Sequence, residues 1–410
     1  MPTQSSNGTV RRRISPTDIS QYIRLEQCRR FLALRLKIHS GDNNILTDYG
    51  VVPERTGPLL TRSGATFENL VETEAARHGR VERFNRPPGQ QFTHNRELVE
   101  LARQLAPGET VTLFQVRLQV EVAGWEMRGD LDILRLERTP AGSLNFLIAD
   151  MKSSAGPKGE HRLQVAFYRV MVEAVFEQAG VAIDEKTITI LYRGPVGEAE
   201  TLGPEDRALL EAHQAAAKTV FGLDTAYLEN IADPEAYLSE VENLVTGEDS
   251  EAFRLWLAPL DSSPFHLTNK CDSCLYNPFC MKYSAANDDL SLIPQLTQVD
   301  KEALRRNGVT SVHDLAHLKD LKPDSFELTI TPGQEELNRR LATTWPVGPR
   351  LDELVHRARL YRRFKGEKLE ALNFIPNAGH GSLPYSDEKQ NPNLVRVYLD
   401  AQQDYLKERV

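Results

Sequence analysis

Residues 145–178 read NFLIADMKSSAGPKGEHRLQVAFYRVMVEAVFEQ. The first eight residues are a short, mostly apolar run with β-type side chains, which predicts a buried strand over 145–152. A loop of Ser, Gly, Pro and Lys follows. From residue 160 to residue 178 the apolar side chains return at helical spacing, which predicts a helix. Side chains two apart on a strand share a face, so Asp150 and Lys152 point the same way at the strand's end.

Working outward, residues 110–122 (TVTLFQVRLQVEV) and 125–136 (WEMRGDLDILRL) suit two strands, with Gly124 at a hairpin turn between them. Residues 187–192 give another strand. Upstream, residues 18–38 read as one helix with Cys28 in its middle, and residues 64–79 as a second helix that starts at a glycine. The order helix, three strands, helix, strand predicts one compact α/β domain. Residues 203–260 read as mostly helical. Within 292–318 the pattern is a helix, a turn at Asn307-Gly308 and a helix starting near Ser311. Residues 370–393, rich in Gly, Pro and Asn, read as a linker. Residues 394–410 open a strand at 395–399 and then stop, an unfinished element read as the stub of a further domain. Residues 1–17 read as a disordered tail.

The 410 residues exceed one ordinary core, so two or three domains are expected. Hydrophobic residues make up 40% and charged residues 26%, an ordinary soluble composition. No apolar run reaches about 18 residues, so no membrane span is expected. The basic N-terminus has no apolar stretch behind it and is not a secretory signal. The expected compartment is the cytoplasm, where the four cysteines stay reduced and metal binding is favoured over disulfides. The net charge of −9 weighs against non-specific coating of nucleic acid, though not against local basic patches. One such patch lies over 350–368, with Arg357, Arg359, Arg362, Arg363, Lys365 and Lys368. A solvated helix face reads equally well there. No G-x-x-x-x-G-K-S/T occurs, so the chain carries no phosphate-binding loop of an ATP motor.

Asp132 and Asp150 lie near the ends of adjacent predicted strands. Two carboxylates brought together repel unless a cation sits between them, and Mg²⁺ takes such oxygen ligands. With Lys152 on the same face to stabilise charge on a phosphate, the set suffices for phosphodiester hydrolysis. Asp-x-Lys alone is weak, since a surface ion pair has the same spacing. Among the cysteines, Cys271-x-x-Cys274-x5-Cys280 gives three thiols within ten residues, while Cys28 stands far upstream. By themselves the three could be most of a zinc site, or buried thiols with no ligand.

The order Gly64-x-x-x-Glu68, Gly129-x-x-Asp132, Asp150-x-Lys152 and Gln164-x-x-x-Tyr168 resembles the RecB-like branch of the PD-(D/E)XK nucleases over roughly residues 60–195. The resemblance implies an α/β fold: a restriction-endonuclease-like core with helical insertions, followed by a small helical module. It implies Asp132 and Asp150 as ligands of Mg or Mn, Lys152 as the catalytic lysine, and Gln164 and Tyr168 facing the site or the DNA from one helix. Glu68 stands where many relatives have a histidine ligand, and it can hold Mg²⁺ or Mn²⁺ as a third donor. Ala149 replaces the proline of the family's label. Asp130 is a rival for Asp132, expected on the opposite strand face and disfavoured by the G-x-x-D spacing. One cysteine before the core and three after it resemble the iron–sulfur RecB-like nucleases. In that arrangement Cys28, Cys271, Cys274 and Cys280 hold a 4Fe–4S cluster that ties the ends of the domain together. Residues 292–318 resemble a helix–hairpin–helix, whose turn can hold a DNA phosphate with backbone N–H groups, or can serve only the packing of a small helical module.

The expected division is a nuclease domain over 18–288, a hairpin-type DNA-binding module over 289–369, a linker over 370–393 and a stub over 394–410. That stub resembles the first strand of an RNase H-like domain, with Asp400 at its metal position. The expected function is a Mg- or Mn-dependent deoxyribonuclease acting on single strands or DNA ends, in repair, recombination or defence. A helicase partner or a missing C-terminal helicase domain is expected beside it. The alternatives are a catalytically silent DNA-binding module of a larger helicase–nuclease and a zinc-bound structural protein. Intact Asp132, Asp150 and Lys152 argue against the first, and a colourless preparation would mark the second.

Overall fold

The computed structural model describes residues 12–41, 44–48, 58–87, 91–194, 203–322, 325 and 327–372. They divide into two compact units: the first holds the described residues within 12–45 and 58–264, the second those within 46–48 and 265–372. Residues 265–288, read with the nuclease domain from the sequence, are thus counted with the second unit. Most of the expected linker and all of the expected stub, Asp400 included, lie outside the described residues.

In chain order to the end of the first unit the elements are β1 (Arg13–Ile14), α1 (Pro16–Arg24), α2 (Arg29–His39), α3 (Asn44–Asp48), α4 (Pro58–His78), β2 (Val81–Glu82), α5 (Asn95–Gln104), β3 (Thr110–Val122), β4 (Trp125–Arg138), β5 (Leu144–Lys152), α6 (Gly159–Gln178), β6 (Lys186–Tyr192), α7 (Pro204–Phe221), β7 (Tyr227–Asn230), α8 (Pro234–Val241) and α9 (Glu251–Leu257). One sheet runs in the order β2-β3-β4-β5-β6-β7, with β1 pairing β4. β3 and β4 form a long antiparallel hairpin closed at Val122 opposite Trp125. Its two turn residues, Ala123 (φ 49°) and Gly124 (φ 73°), are both left-handed. That is the turn whose twist matches the strands it joins. β4 and β5 are antiparallel, whereas β5 and β6 run parallel and are joined through α6, since a parallel pair needs such a crossover.

Alternation then sorts the sheet's two faces. Phe114, Ile133, Ala149, Met151 and Leu191 pack with Phe67, Val71 and Ala75 of α4 and Ala217 and Phe221 of α7. α6 packs across the other face, so the polar residues of β5 meet a helix and stay out of the apolar layer.

Four readings are corrected. The helix expected over 18–38 is two helices, broken where Glu26 (φ 56°) and Gln27 (φ 58°) take left-handed backbone, and Cys28 becomes the N-cap of α2. Neither residue is a glycine or proline, so nothing in the pattern marks the break. The second helix starts at Pro58, ahead of Gly64. The reading of residues 203–260 as mostly helical stands, but it left out the strand β7. It pairs with β6. Finally, residues 12–17 are ordered: β1 joins the sheet, and Ser15 caps α1 in a capping box with Asp18. Asp18 is 1% exposed and also accepts from Arg35 Nε and lies 3.0 Å from His39 Nε2, pinning α1 to α2.

The second unit contains α10 (Asn277–Ala286), α11 (Gln298–Arg306), α12 (Val312–Ala316), the antiparallel pair β8 (Lys319–Leu321) and β9 (Leu328–Ile330), α13 (Glu335–Ala342) and α14 (Leu351–Phe364). Leu304, Val309, Val312, Leu315, Leu354 and Val355 are among its core residues. The turn after α11 is closed on itself. Gly308 (φ 90°) donates to the Arg305 carbonyl and Val309 to the Leu304 carbonyl, both at 3.0 Å, the double bond of a Schellman cap. Thr310 and Ser311 N–H both donate to Asp314 Oδ2 at 3.0 Å. The expectation that this turn offers backbone N–H groups to a phosphate is therefore not met, because those donors are engaged within the chain.

The basic stretch 350–368 is also largely consumed. Arg359 is 3% exposed and donates to the carbonyls of Ala316, Lys319 and Glu370. Arg357 bonds Glu353 and Gln295, Arg362 bonds Asp288 and Glu367, and Arg363 bonds the Ala371 carbonyl.

Candidate active site

The β4–β5 register sets Ile133 opposite Ala149, and the next residues along, Asp132 and Asp150, bring their carboxyls into hydrogen-bonding reach of each other. Asp132 Oδ2 accepts the Met151 N–H at 2.8 Å. Asp150 is 2% exposed, and Lys152 Nζ lies 2.6 Å from its Oδ2. From α6, Gln164 Nε2 donates to Asp150 Oδ1 at 3.3 Å and Gln164 Oε1 accepts from Lys152 Nζ at 3.4 Å. One turn on, Tyr168 OH donates to the Asp130 carbonyl at 2.6 Å. A Cβ at Gly129 would lie 2.8 Å from Tyr168 Cε1, so the glycine of G-x-x-D is the space the tyrosine ring occupies. The structure thus brings Asp132, Asp150, Lys152, Gln164 and Tyr168 together.

The electrostatics follow from this crowding. Burial, and then the negative charge of Asp150, push the Asp132 carboxyl well above the usual carboxylate range. Burial alone would lower the Lys152 ammonium, but Asp150 and Asp132 outweigh it and hold its pKa above the usual value. The Tyr168 phenol is raised by burial and by the same two carboxylates. Asp150 Oδ2 is engaged by the Lys152 ammonium. Two adjacent buried carboxyls, one of them resisting ionisation, fit a divalent cation with oxygen ligands.

Other expected residues stand apart. Glu68 is exposed on α4, one residue from the buried Phe67. Among the described residues, no group of three metal-ligating side chains with donor atoms within 4.8 Å includes it. Asp130 is not set apart from Asp132 by strand face, as expected: two residues apart is the strand's own repeat, so alternation cannot oppose them. Its partners set it apart. Asp130 is held by Arg117 at 2.7 Å through both oxygens and by Arg86 at 3.1 Å. Cys28 is half-buried in the first unit. In the second, Cys271 and Cys274 are half-buried and Cys280 is buried on α10. Thr268 N–H points at Cys271 Sγ from 3.4 Å.

Three residues near the site escaped the sequence reading. Gln115, left-handed at φ 56°, donates through Nε2 to Asp132 Oδ1 at 3.4 Å. Glu160 is close enough to Lys152 to favour its charged form. His161 is lowered to about 4 by burial and by the charges of Lys152, Lys158 and Arg162. Glu160 and His161 sit about one turn before Gln164, which is the available signal. Gln115 is marked only by a phase shift, apolar at 111 and 113 before it and at 114, 116, 118 and 120 around and after it.

The PD-(D/E)XK nuclease superfamily matches residues 49–281, more than half of the chain. No curated protein matches. Ten solved chains match, among them the crystal structure of SSO0001, at 13% identity over 67% of this chain and 89% of that one, with a TM-score of 0.27. At that score the likeness adds nothing to the reading.

Proposed function

The chain belongs to the PD-(D/E)XK nuclease superfamily, and from that premise we propose a Mg²⁺- or Mn²⁺-dependent deoxyribonuclease of the RecB-like, iron–sulfur branch, acting on single strands or DNA ends. The observation that carries it is Asp132, Asp150 and Lys152 on one patch, tied to α6 through Gln164. Asp132 and Asp150 would hold the ion. When bound, the ion polarises the phosphate and makes water a better nucleophile. Lys152, kept protonated by its neighbours, offers its ammonium to the charge growing on the phosphate oxygens. Gln164 fixes Lys152 relative to Asp150, and Tyr168 braces β4 from the helix side. The neutral His161 adds no competing positive charge beside Lys152.

Cys28, Cys271, Cys274 and Cys280 are proposed as ligands of a 4Fe–4S cluster with a structural role. The Thr268 N–H aimed at Cys271 Sγ supports a thiolate there, and Cys28 at the start of α2 sits where a helix favours negative charge. Any DNA contact at the Asn307-Gly308 turn would run through side chains. A helicase partner and a cytoplasmic setting belong to the same reading.

The test is cleavage of labelled single-stranded DNA in Mg²⁺ and Mn²⁺ by the wild type, Asp150→Ala and Lys152→Ala, with circular dichroism to check folding. The variants should lose about 10² to 10³ in rate or more. A variant that cuts at the wild-type rate would remove the site assignment. A wild type that binds DNA and cuts in neither metal would be a silent binding module.

A further inference from the structure

We propose that His313, His317 and Glu367 form a second metal site, in the C-terminal unit, for a divalent transition ion of the zinc type. The reading does not rest on the nuclease assignment: every residue in it belongs to the second unit, and the ion's role is to fasten the residues after α14 to α12.

The helix supplies the pairing. His313 lies in α12 and His317 is its C-cap, four residues on, so both rings project from one side. Their centroids are 4.0 Å apart. Both aim at one carboxylate oxygen: Glu367 Oε1 lies 3.1 Å from His317 Nε2 and 3.7 Å from His313 Nδ1. The three donor atoms all fall within 4.8 Å of one another. Tetrahedral zinc with bonds of about 2.0–2.2 Å sets its ligand atoms about 3.3–3.5 Å apart, between the two distances observed.

Proton placement sharpens the argument. His317 Nδ1 is 2.9 Å from the His313 carbonyl, an acceptor, so the ring proton belongs on Nδ1. In the neutral ring Nε2 then carries a lone pair, directed at a carboxylate oxygen. Nε2 and Oε1 face each other only with a proton or a metal ion between them. A proton would serve the 3.1 Å contact of His317 alone, whereas a single divalent ion satisfies both nitrogens and the oxygen. Metal-bound histidines donate their other ring N–H to a carbonyl in this way.

The carboxylate is also held for the task. Arg362 Nε takes Glu367 Oε2, leaving Oε1 to the histidines. Arg362 Nη1 in turn bonds Asp288 Oδ1 at 2.9 Å, and Asp288 Oδ2 accepts the His313 N–H at 2.7 Å. The chain of contacts closes on the helix that carries both rings. Imidazole with carboxylate selects zinc, nickel, cobalt or copper over magnesium. The His313 side chain is 53% exposed, so a fourth position opens to water.

The experiment is a Zn²⁺ titration of the full chain in millimolar Mg²⁺, read by competition with a chromophoric chelator, for the wild type, His317→Ala and Glu367→Gln. Glu367→Gln keeps the side-chain shape, and circular dichroism checks that both variants fold. The expected result is one zinc equivalent present in the wild type and bound at least tenfold more weakly in each variant. A zinc-dependent rise in melting temperature should be lost with it. Equal zinc stoichiometry and affinity in all three proteins would overturn the site and leave an ion pair only.

Discussion

Gln164 is bonded at both ends of its amide, to Asp150 through nitrogen and to Lys152 through oxygen. It therefore sets the angle between a carboxylate and a cation without supplying charge of its own. Gln164→Ala should reduce DNA cleavage less than Asp150→Ala, with the metal requirement unchanged. A titration of rate against Mg²⁺ checks this, and a shifted metal midpoint would make Gln164 a ligand holder instead. Asp18 makes a prediction about acid. Burial would raise its carboxyl, but the hydrogen bond from His39 and the charge of Arg35 hold it at about 2, below the ordinary 3.8. Its stabilisation is present above pH ~4 and is lost as pH falls through about 2, in total about 2 kcal/mol. The difference in unfolding free energy between wild type and Asp18→Asn should shrink between pH 6 and pH 2.5. A constant difference would contradict the pairing. At this scale Asp150 and Lys152 were legible because a strand's period is fixed. Gln115, Glu26 and Gln27 were not, because their left-handed backbone is imposed by tertiary packing on residues that do not advertise it.

The turn between α11 and α12 shows how an element can be read correctly while its role is not. Asn307-Gly308 marks a helix end, and a helix does end there, but its N–H groups close back on α11 and on Asp314. Gly308 at φ 90° is the residue the closure depends on. An L side chain in left-handed backbone costs roughly 1–2 kcal/mol. Gly308→Ala should lower the melting temperature of the second unit by about 5 °C or more. DNA affinity measured below that transition should stay unchanged, whereas a selective loss of DNA binding in a folded variant would restore the phosphate-binding role. The arginines of α14 follow the same logic. From sequence alone the basic residues over 350–368 suit a nucleic-acid patch or a solvated helix face equally well. Some of their acceptors are local, such as Glu353 for Arg357 and Glu367 for Arg362, but others lie far away in the chain, such as Ala316 for Arg359 and Asp288 for Arg362, and such distant partners leave no local pattern.

Across the whole molecule, the proposed cluster ligands are divided between the two units, Cys28 in one and the other three thiols in the other. If one cluster takes all four, Cys28→Ser should lower iron content and melting temperature as far as Cys271→Ser does, and expose the neighbourhood of Cys28 and residues 260–290 to protease. A Cys28→Ser chain with full iron would reduce the cluster to the C-terminal thiols. The central strands β3, β4 and β5 and the helix α6 were legible because each carries its own period over many residues. β1, with two residues, and β7, with four, were not. Strands that short have no periodicity to read and owe their state to the partner strand.

The contact between Gly129 and Tyr168 has an implication for descent. The two residues share one volume, and an added Cβ at position 129 would sit 2.8 Å from the ring. Position 129 is then not free to grow alone, and Pro16, 3.0 Å from the same Cβ, confines it further. A lineage that enlarges residue 129 must first shrink residue 168, and an intermediate carrying only the first change would be overpacked by roughly 1–3 kcal/mol. An enlarged residue 129 should therefore be found only with a smaller residue 168, a single feature written at two distant places in the chain.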